Sequence, residues 1–296
     1  MKWGDQRESS QIEARRGQGG GFGGGGGLPG GRRGVGLGTI AIALVAGWIF
    51  GINPGTIIGV LGGMGRGEVA QQAPATSPRS QPQDESARFI STVLASTEDV
   101  WGQVSRQSNA QYQKPVLVLY RGATRSACGV GQAAMGPFYC PGDAKGYLDL
   151  GFFDTMRRQL GAPGDFAQAY VVAHEVGHHV QHLLGITDKV DRLRERVSEA
   201  QGNALSVRLE LQADCFAGVW AHNAQQAKNW LEQGDLEEAM NAASQIGDDT
   251  LQRNAGGAVR PESFTHGTSQ QRMRWFQRGL QTGQVAQCDT FQARSL

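Results

Sequence analysis

His174 and His178, with Glu175 between them in the run VVAHEVGHHVQ at 171–181, have residue types and a spacing that read directly as chemistry. On an α-helix, residues four apart share a face, so both imidazoles can reach one metal ion while Glu175 stands beside it. Catalytic zinc keeps one of its four positions for water, so two histidines call for a third protein ligand. The run RLELQADCFAG at 208–218 offers one, because Glu210 and Asp214 again stand four apart on a helical stretch. Leu209, Leu211, Ala213, Phe216 and Ala217 crowd that stretch, and a carboxylate buried among such neighbours is costly unless it is paired. The expected division gives Glu210 to the metal and lets Asp214, one turn on, accept the N–H of a ligand imidazole and fix its tautomer. His182, eight residues beyond His174, would have to reach the same ion across three consecutive turns. The pattern HExxHxxGxxH is excluded, because Gln181 and Leu184 stand where it needs Gly and His.

This set predicts hydrolysis by a water that zinc activates, bringing its pKa toward about 7 and polarising the scissile carbonyl. Glu175 would take the proton of that water and pass it to the leaving amine. The developing oxyanion needs a donor as well. His266, in SFTHGTSQQR, is one candidate, with Arg272 or Arg274 as supports, and an ordinary loop histidine is the competing reading. Tyr147 and Tyr170 are further donors between which spacing does not choose.

Elements must hold these groups in place. From 166 to 184, Phe166, Ala169, Tyr170, Ala173, Val176, Gly177 and Val180 recur at helical spacing. Asp165 is the expected N-cap, and Gly185 the expected stop. Further helices are expected at 88–103, 188–200, 209–223, 236–243 and 270–280. KPVLVLY at 114–120 reads as a strand, and PFYCPGDAKGYLDL at 137–150 as two short strands about a Pro-Gly-Asp turn. If 146–150 forms a sheet edge beside the histidine helix, a peptide can add to it as an extra strand. The alternative is an internal hairpin that packs the helix. The expected class is α+β: a mostly helical, zincin-like domain with a small antiparallel sheet.

The 296 residues carry a formal net charge of +1, which supplies no basic field for nucleic acid, and neither a CxxC pair nor a nucleotide-binding glycine fingerprint occurs. Of the 44 glycines the excess lies before residue 68. Residues 1–33 are therefore expected to be a disordered Gly-rich tail. No charged side chain occurs from 34 to 65, and the most apolar part, 35–52, approaches the 17 to 25 residues of a membrane-crossing helix. Residues 34–60 are read as a single anchor. Arg15, Arg16, Arg32 and Arg33 before it place the N-terminus in the cytoplasm and the rest in the periplasm or outside. A cleaved signal peptide is the competing reading, disfavoured by its long preamble. The Pro, Ser and Gln content of 61–85 marks a linker, and 86–296 is long enough for one sizeable core. Cys128, Cys140, Cys215 and Cys288 suit two disulfides in an oxidising compartment, with three pairings open. Cys128 with Cys140 would clip the strand region, leaving Cys215 with Cys288 to tie the tail to the Glu210 helix.

HExxH followed by ExxxD on a second helix is similar to the thermolysin-like zinc peptidases, the gluzincins, and LQAD resembles membrane-associated Ste24- and HtpX-type peptidases. More closely, nearly the whole chain resembles the bacterial family known as putative neutral zinc metallopeptidases. The resemblance rests on MKWGDQRESS, SACG, MGPFYCP, YLDLGFFD, FAQAYVVAHEVGHHVQ, RLELQADCFAGVW, NAASQIGDDTLQR and SFTHGTSQQRMRWF. It implies a zinc peptidase acting on peptide or protein substrates, with His266 placed like the C-terminal histidine near the metal in gluzincins. The other classes weighed are a catalytically inactive, zinc-stabilised binding domain tethered to the membrane, and an intramembrane protease. The second is excluded by the polar side chains of Asp165, Gln168, His179, Gln181 and His182 on the HExxH helix.

Overall fold

The periodic apolar runs form helices packed on a small sheet in a computed structural model that describes residues 1–15, 85–132 and 136–296. In chain order the elements are β1 (Ile12–Ala14), α1 (Glu85–Gln107), β2 (Val116–Tyr120), β3 (Ala123–Ser126), β4 (Gly129–Gln132), β5 (Phe138–Cys140) and β6 (Lys145–Asp149). They continue as α2 (Leu150–Arg158), α3 (Asp165–Leu183), α4 (Ile186–Arg194), α5 (Glu199–Lys228), α6 (Asp235–Gln245), α7 (Asp248–Asn254) and α8 (Ser269–Thr282).

The main sheet runs β1-β2-β6-β5, with β1, β2 and β6 parallel and β5 antiparallel to β6, while β3 and β4 form a separate antiparallel hairpin. The sheet is thus mixed, not antiparallel as expected, because the long connection from β2 to β6 permits a parallel return. Nor is 146–150 a sheet edge. All five residues of β6 pair with β2 and the outer side is taken by β5, so Tyr147 and Leu148 are fully buried. Among the described residues, β5 is the edge on that side. The disulfides are Cys128–Cys140 and Cys215–Cys288, the pairing that clips the strands and ties down the C-terminal segment.

Caps decide where the helices divide. Ser198 and Gln201 form a reciprocal capping box that starts α5, so the helix expected at 188–200 is two helices with a break before Ser198. From there α5 runs 30 residues, far beyond the expected 209–223, and ends at Asn229 in the left-handed region. The cap of α3 is Gly164, and Asp165 is its first helical residue. Helix α8 lies against α5 backbone to backbone at Gly279, where a Cβ would fall 1.9 Å from the carbonyl oxygen of Cys215.

The first fifteen residues are not a disordered tail. Met1 and Ile12 are buried, Trp3 stacks edge-on against Phe89 of α1, and β1 pairs with β2. The glycine-rich composition that suggested disorder begins only after this stretch, which carries its own apolar anchors. The anchor read at 34–60 and nearly all of the linker lie outside the described residues. Among the described residues no helix is long and apolar enough to cross a membrane.

Candidate metal centre

The site forms where α3 and α5 come closest, and Gly177 allows it. A Cβ at Gly177 would sit 3.0 Å from the carbonyl oxygen and 3.1 Å from the Cα of Ala213. Gly177 lies one residue before His178 on α3, and Ala213 one residue before Asp214 on α5. This contact therefore sets the two histidines opposite the two carboxylates. His174 Nε2 lies 3.1 Å from Glu210 Oε2, His178 Nε2 lies 3.1 Å from His174 Nε2, and His178 Nε2 lies 3.4 Å from Glu210 Oε1. Zinc with arms of about 2.0–2.1 Å places tetrahedral ligands about 3.3–3.4 Å apart, so these donor atoms fit the ion.

The far side of each imidazole is held independently. His174 Nδ1 is 2.8 Å from Asp214 Oδ1, and His178 Nδ1 is 2.9 Å from Gln181 Oε1. Both partners are acceptors, so each Nδ1 carries a proton and each Nε2 is the ring atom left to face a metal. The Gln181 amide has only one sensible orientation, because its Nε2 donates to the Leu209 carbonyl at 2.7 Å and to Gln212 Oε1 at 3.1 Å.

Asp214 is fully buried, and Arg272 of α8 compensates its charge. The guanidinium donates from Nε to Oδ2 and from Nη2 to Oδ1, each at 2.9 Å, and the Tyr170 hydroxyl donates to Oδ1. Burial alone would raise the Asp214 pKa, but Arg272 and then His174 overcome it and hold the carboxyl at about 2. His174 is pushed the other way. Its burial favours the neutral ring, yet Asp214 and Glu210 outweigh it and raise the imidazole to about 9. Glu210, also against the pull of burial, is held well below the usual carboxylate range by His178 and His174.

Glu175 differs from both carboxylates on α5. It is buried, one of its oxygens makes no hydrogen bond, and its pKa is raised by burial despite attraction from His178 and His174. Gly146 of β6 lies alongside it, where a Cβ would come within 4.0 Å of the Glu175 Cβ. A desolvated carboxylate with one oxygen unpaired, next to a metal-fitting donor set, is equipped to accept a proton.

His266 sits half-exposed on the loop before α8, with Nδ1 3.2 Å from Asp248 Oδ1. The other oxygen of Asp248 accepts the backbone N–H groups of Thr265, His266 and Gly267 at 2.8, 2.7 and 3.0 Å, which fixes the loop. His266 lies close enough to Glu210 for each charge to favour the other's ionised form. The remaining expected donors lie elsewhere or act differently. Arg272 clamps Asp214, Arg274 donates to the Leu296 carbonyl, and the Tyr147 hydroxyl donates to Asp143. The Tyr170 hydroxyl donates to Asp214 and accepts from Arg272. His182 makes no contact with the donor set, and its buried Nδ1 has no hydrogen-bond partner.

Sequence reasoning missed Gln181, Asp248 and the partner of Arg272. Gln181 had a readable signal, an acceptor three residues after His178 on the same helix. Asp248 and Arg272 had none, since the first acts through a loop and the second across a helix crossing.

Imidazoles four apart on α3 thus face a carboxylate and an imidazole-bonded aspartate four apart on α5, a group of donors close enough together to hold one metal ion. The chain belongs to the putative neutral zinc metallopeptidase family, whose pattern matches residues 1–291. It is 53% identical over 294 residues to the uncharacterized protein YpfJ of Escherichia coli, covering 98% of this chain and 99% of that protein. It is 40% identical over 220 residues to the uncharacterized protein Rv2575 of Mycobacterium tuberculosis, covering 71% of this chain and 73% of that one. No solved structure gives a significant match.

Proposed function

We propose that the chain is a zinc-dependent metallopeptidase in which His174, His178 and Glu210 hold the metal and Glu175 is the general base. The observation that carries this reading is the donor set itself: two imidazole Nε2 atoms 3.1 Å apart, each 3.1–3.4 Å from an oxygen of the Glu210 carboxylate, with both imidazoles oriented from behind by separate acceptors. Zinc bound there supplies Lewis acidity, polarising the carbonyl and lowering the pKa of water. The unpaired oxygen of Glu175 takes the proton of the attacking water and delivers it to the departing amine. Asp214 keeps His174 in the binding tautomer, and Arg272 keeps Asp214 charged. His266, backed by Asp248, donates to the oxyanion. An extended peptide lies along β5, the edge of the sheet among the described residues, in place of the edge first read at 146–150, and backbone pairing there gives loose sequence preference.

The uncharged run at 34–65 supports association with a membrane, and the two disulfides support an oxidising compartment. Glu175→Gln tests the catalytic reading in the full chain. It should keep one zinc per molecule and lose peptide hydrolysis by about 10²–10⁴-fold, the usual worth of a general base. Zinc retained with no hydrolysis by the unaltered chain would instead indicate an inactive, zinc-stabilised binding domain.

A further inference from the structure

We infer that residues 1–15 and the domain that runs from residue 85 on lie on the same side of any bilayer this chain meets. The inference goes beyond the peptidase reading and holds whatever the site hydrolyses.

The first fifteen residues are built into the domain along their length. The α-ammonium of Met1 lies 3.0, 3.2 and 3.3 Å from carboxylates of Asp165, Glu232 and Asp235, at the starts of α3 and α6. Lys2 donates its backbone N–H to the Trp230 carbonyl at 2.9 Å. Ser9 and Ser91 exchange two bonds, backbone N–H to carbonyl and hydroxyl to carbonyl, each 3.0 Å. Then β1 adds to the edge of β2, framed by Leu117 N–H to the Gln11 carbonyl at 2.9 Å and Arg15 N–H to the Leu119 carbonyl at 2.8 Å.

Two buried carboxylates link the segment and the domain, one from each side, and the one on the domain would lose most of its partners if the segment left. Glu98 of α1 belongs to the main domain and is almost wholly enclosed, and three residues satisfy it: Ser9, Arg7 at 3.1 Å and Lys114 at 3.1 Å. Without the N-terminal segment it keeps only the lysine, which is itself half-exposed. Glu13 of β1 is buried in turn, and Lys145 of β6 answers it at 2.7 Å together with its neighbour Arg15. A lone buried charge is strongly disfavoured, and a bared β2 would be an unpaired sheet edge. A membrane between the two segments would enforce both penalties at once. The expected arrangement, with the N-terminus in the cytoplasm and 86–296 outside, is therefore set aside.

The test uses the full-length chain in cells. Its four cysteines are all paired, so Asp5→Cys or Ser295→Cys each introduces a lone reactive thiol at an exposed position. A membrane-impermeant maleimide is applied to right-side-out spheroplasts and to inverted vesicles. The expected result is that both variants label in the same preparation and both are spared in the other. Labelling of Asp5→Cys in one preparation and of Ser295→Cys in the other overturns the inference. Ser10→Cys and Gln292→Cys, also exposed, give the same reading if either first variant fails to accumulate. Sedimentation with carbonate-washed membranes tests the membrane reading of 34–65 separately.

Discussion

Replacing Arg272 with methionine tests whether the metal centre depends on a charge supplied from α8. The guanidinium makes two 2.9 Å bonds to a fully buried Asp214, which in turn bonds His174 Nδ1 at 2.8 Å. The fall of Asp214 from 3.8 to about 2 corresponds to about 2 kcal/mol of net preference for the charged form, with Arg272 the strongest partner favouring it. Removing one partner of a buried pair costs more than that preference, about 3–5 kcal/mol, because the remaining charge is stranded. For a fold of this size that is a drop in melting temperature of roughly 6–20 °C. Asp214 can escape the penalty by taking up a proton, but it then donates to His174 Nδ1 and forces the ring's proton onto Nε2, the atom that faces Glu210. Zinc affinity should therefore fall about 10–100-fold, the usual effect of losing a group behind a metal ligand. Chelator-competition titration and calorimetry read the two effects on the same sample. Arg272→Lys, which keeps the charge and loses the fork, should fall between. Wild-type zinc affinity and melting temperature in Arg272→Met would refute the reasoning.

Gly177→Ala places a methyl 3.0–3.3 Å from Ala213, so α3 and α5 must part by a few tenths of an ångström. We expect about 1–3 kcal/mol of destabilisation with weakened zinc binding, measured by denaturant titration and chelator competition. In metal-free protein His174 has its pKa raised to about 9 from 6.5, so its stabilisation is complete below 6.5 and disappears as pH rises through 9. Asp214, lowered to about 2 from 3.8, contributes fully above 3.8 and loses its contribution as pH falls toward 2. Melting temperature should accordingly plateau between about pH 4 and 6.5, and excess zinc should remove the alkaline decline, because metal binding needs His174 deprotonated. Replacing Cys215 and Cys288 together with serine opens a 73-residue separation and should cost about 4 kcal/mol by loop entropy, against about 3 kcal/mol for the 12-residue Cys128–Cys140 pair, with equilibrium unfolding as the measure.

What could be read before the structure follows the range of the interactions. His174 and His178 share a face because of the helix repeat alone, so their meeting was legible from the five residues His174 to His178. Glu210 and Asp214 were legible one step less directly, because their own spacing repeats the pattern and their apolar neighbours make an unpaired carboxylate expensive. The helix expected at 188–200 failed on a local competition: Ser198 and Gln201 satisfy each other's backbone more effectively than a continuous helix would. The sheet failed for the opposite reason. Lys145–Asp149 looks the same as a sequence whether it is an edge or an interior strand, and what made it interior was parallel pairing with β2 on one side and antiparallel pairing with β5 on the other; the far edge of β2 is in turn covered by β1, which comes from a stretch whose downstream composition reads as unable to fold. That same segment decides Glu98 and Glu13, each buried on the strength of a partner more than eighty residues away. Composition averaged over a window hides such anchors, because Met1, Trp3 and Ile12 are few and the glycines that follow are many. Counting which buried charges would lose their partners identifies the first fifteen residues as part of the fold, and by the same logic Arg272 as part of the metal centre.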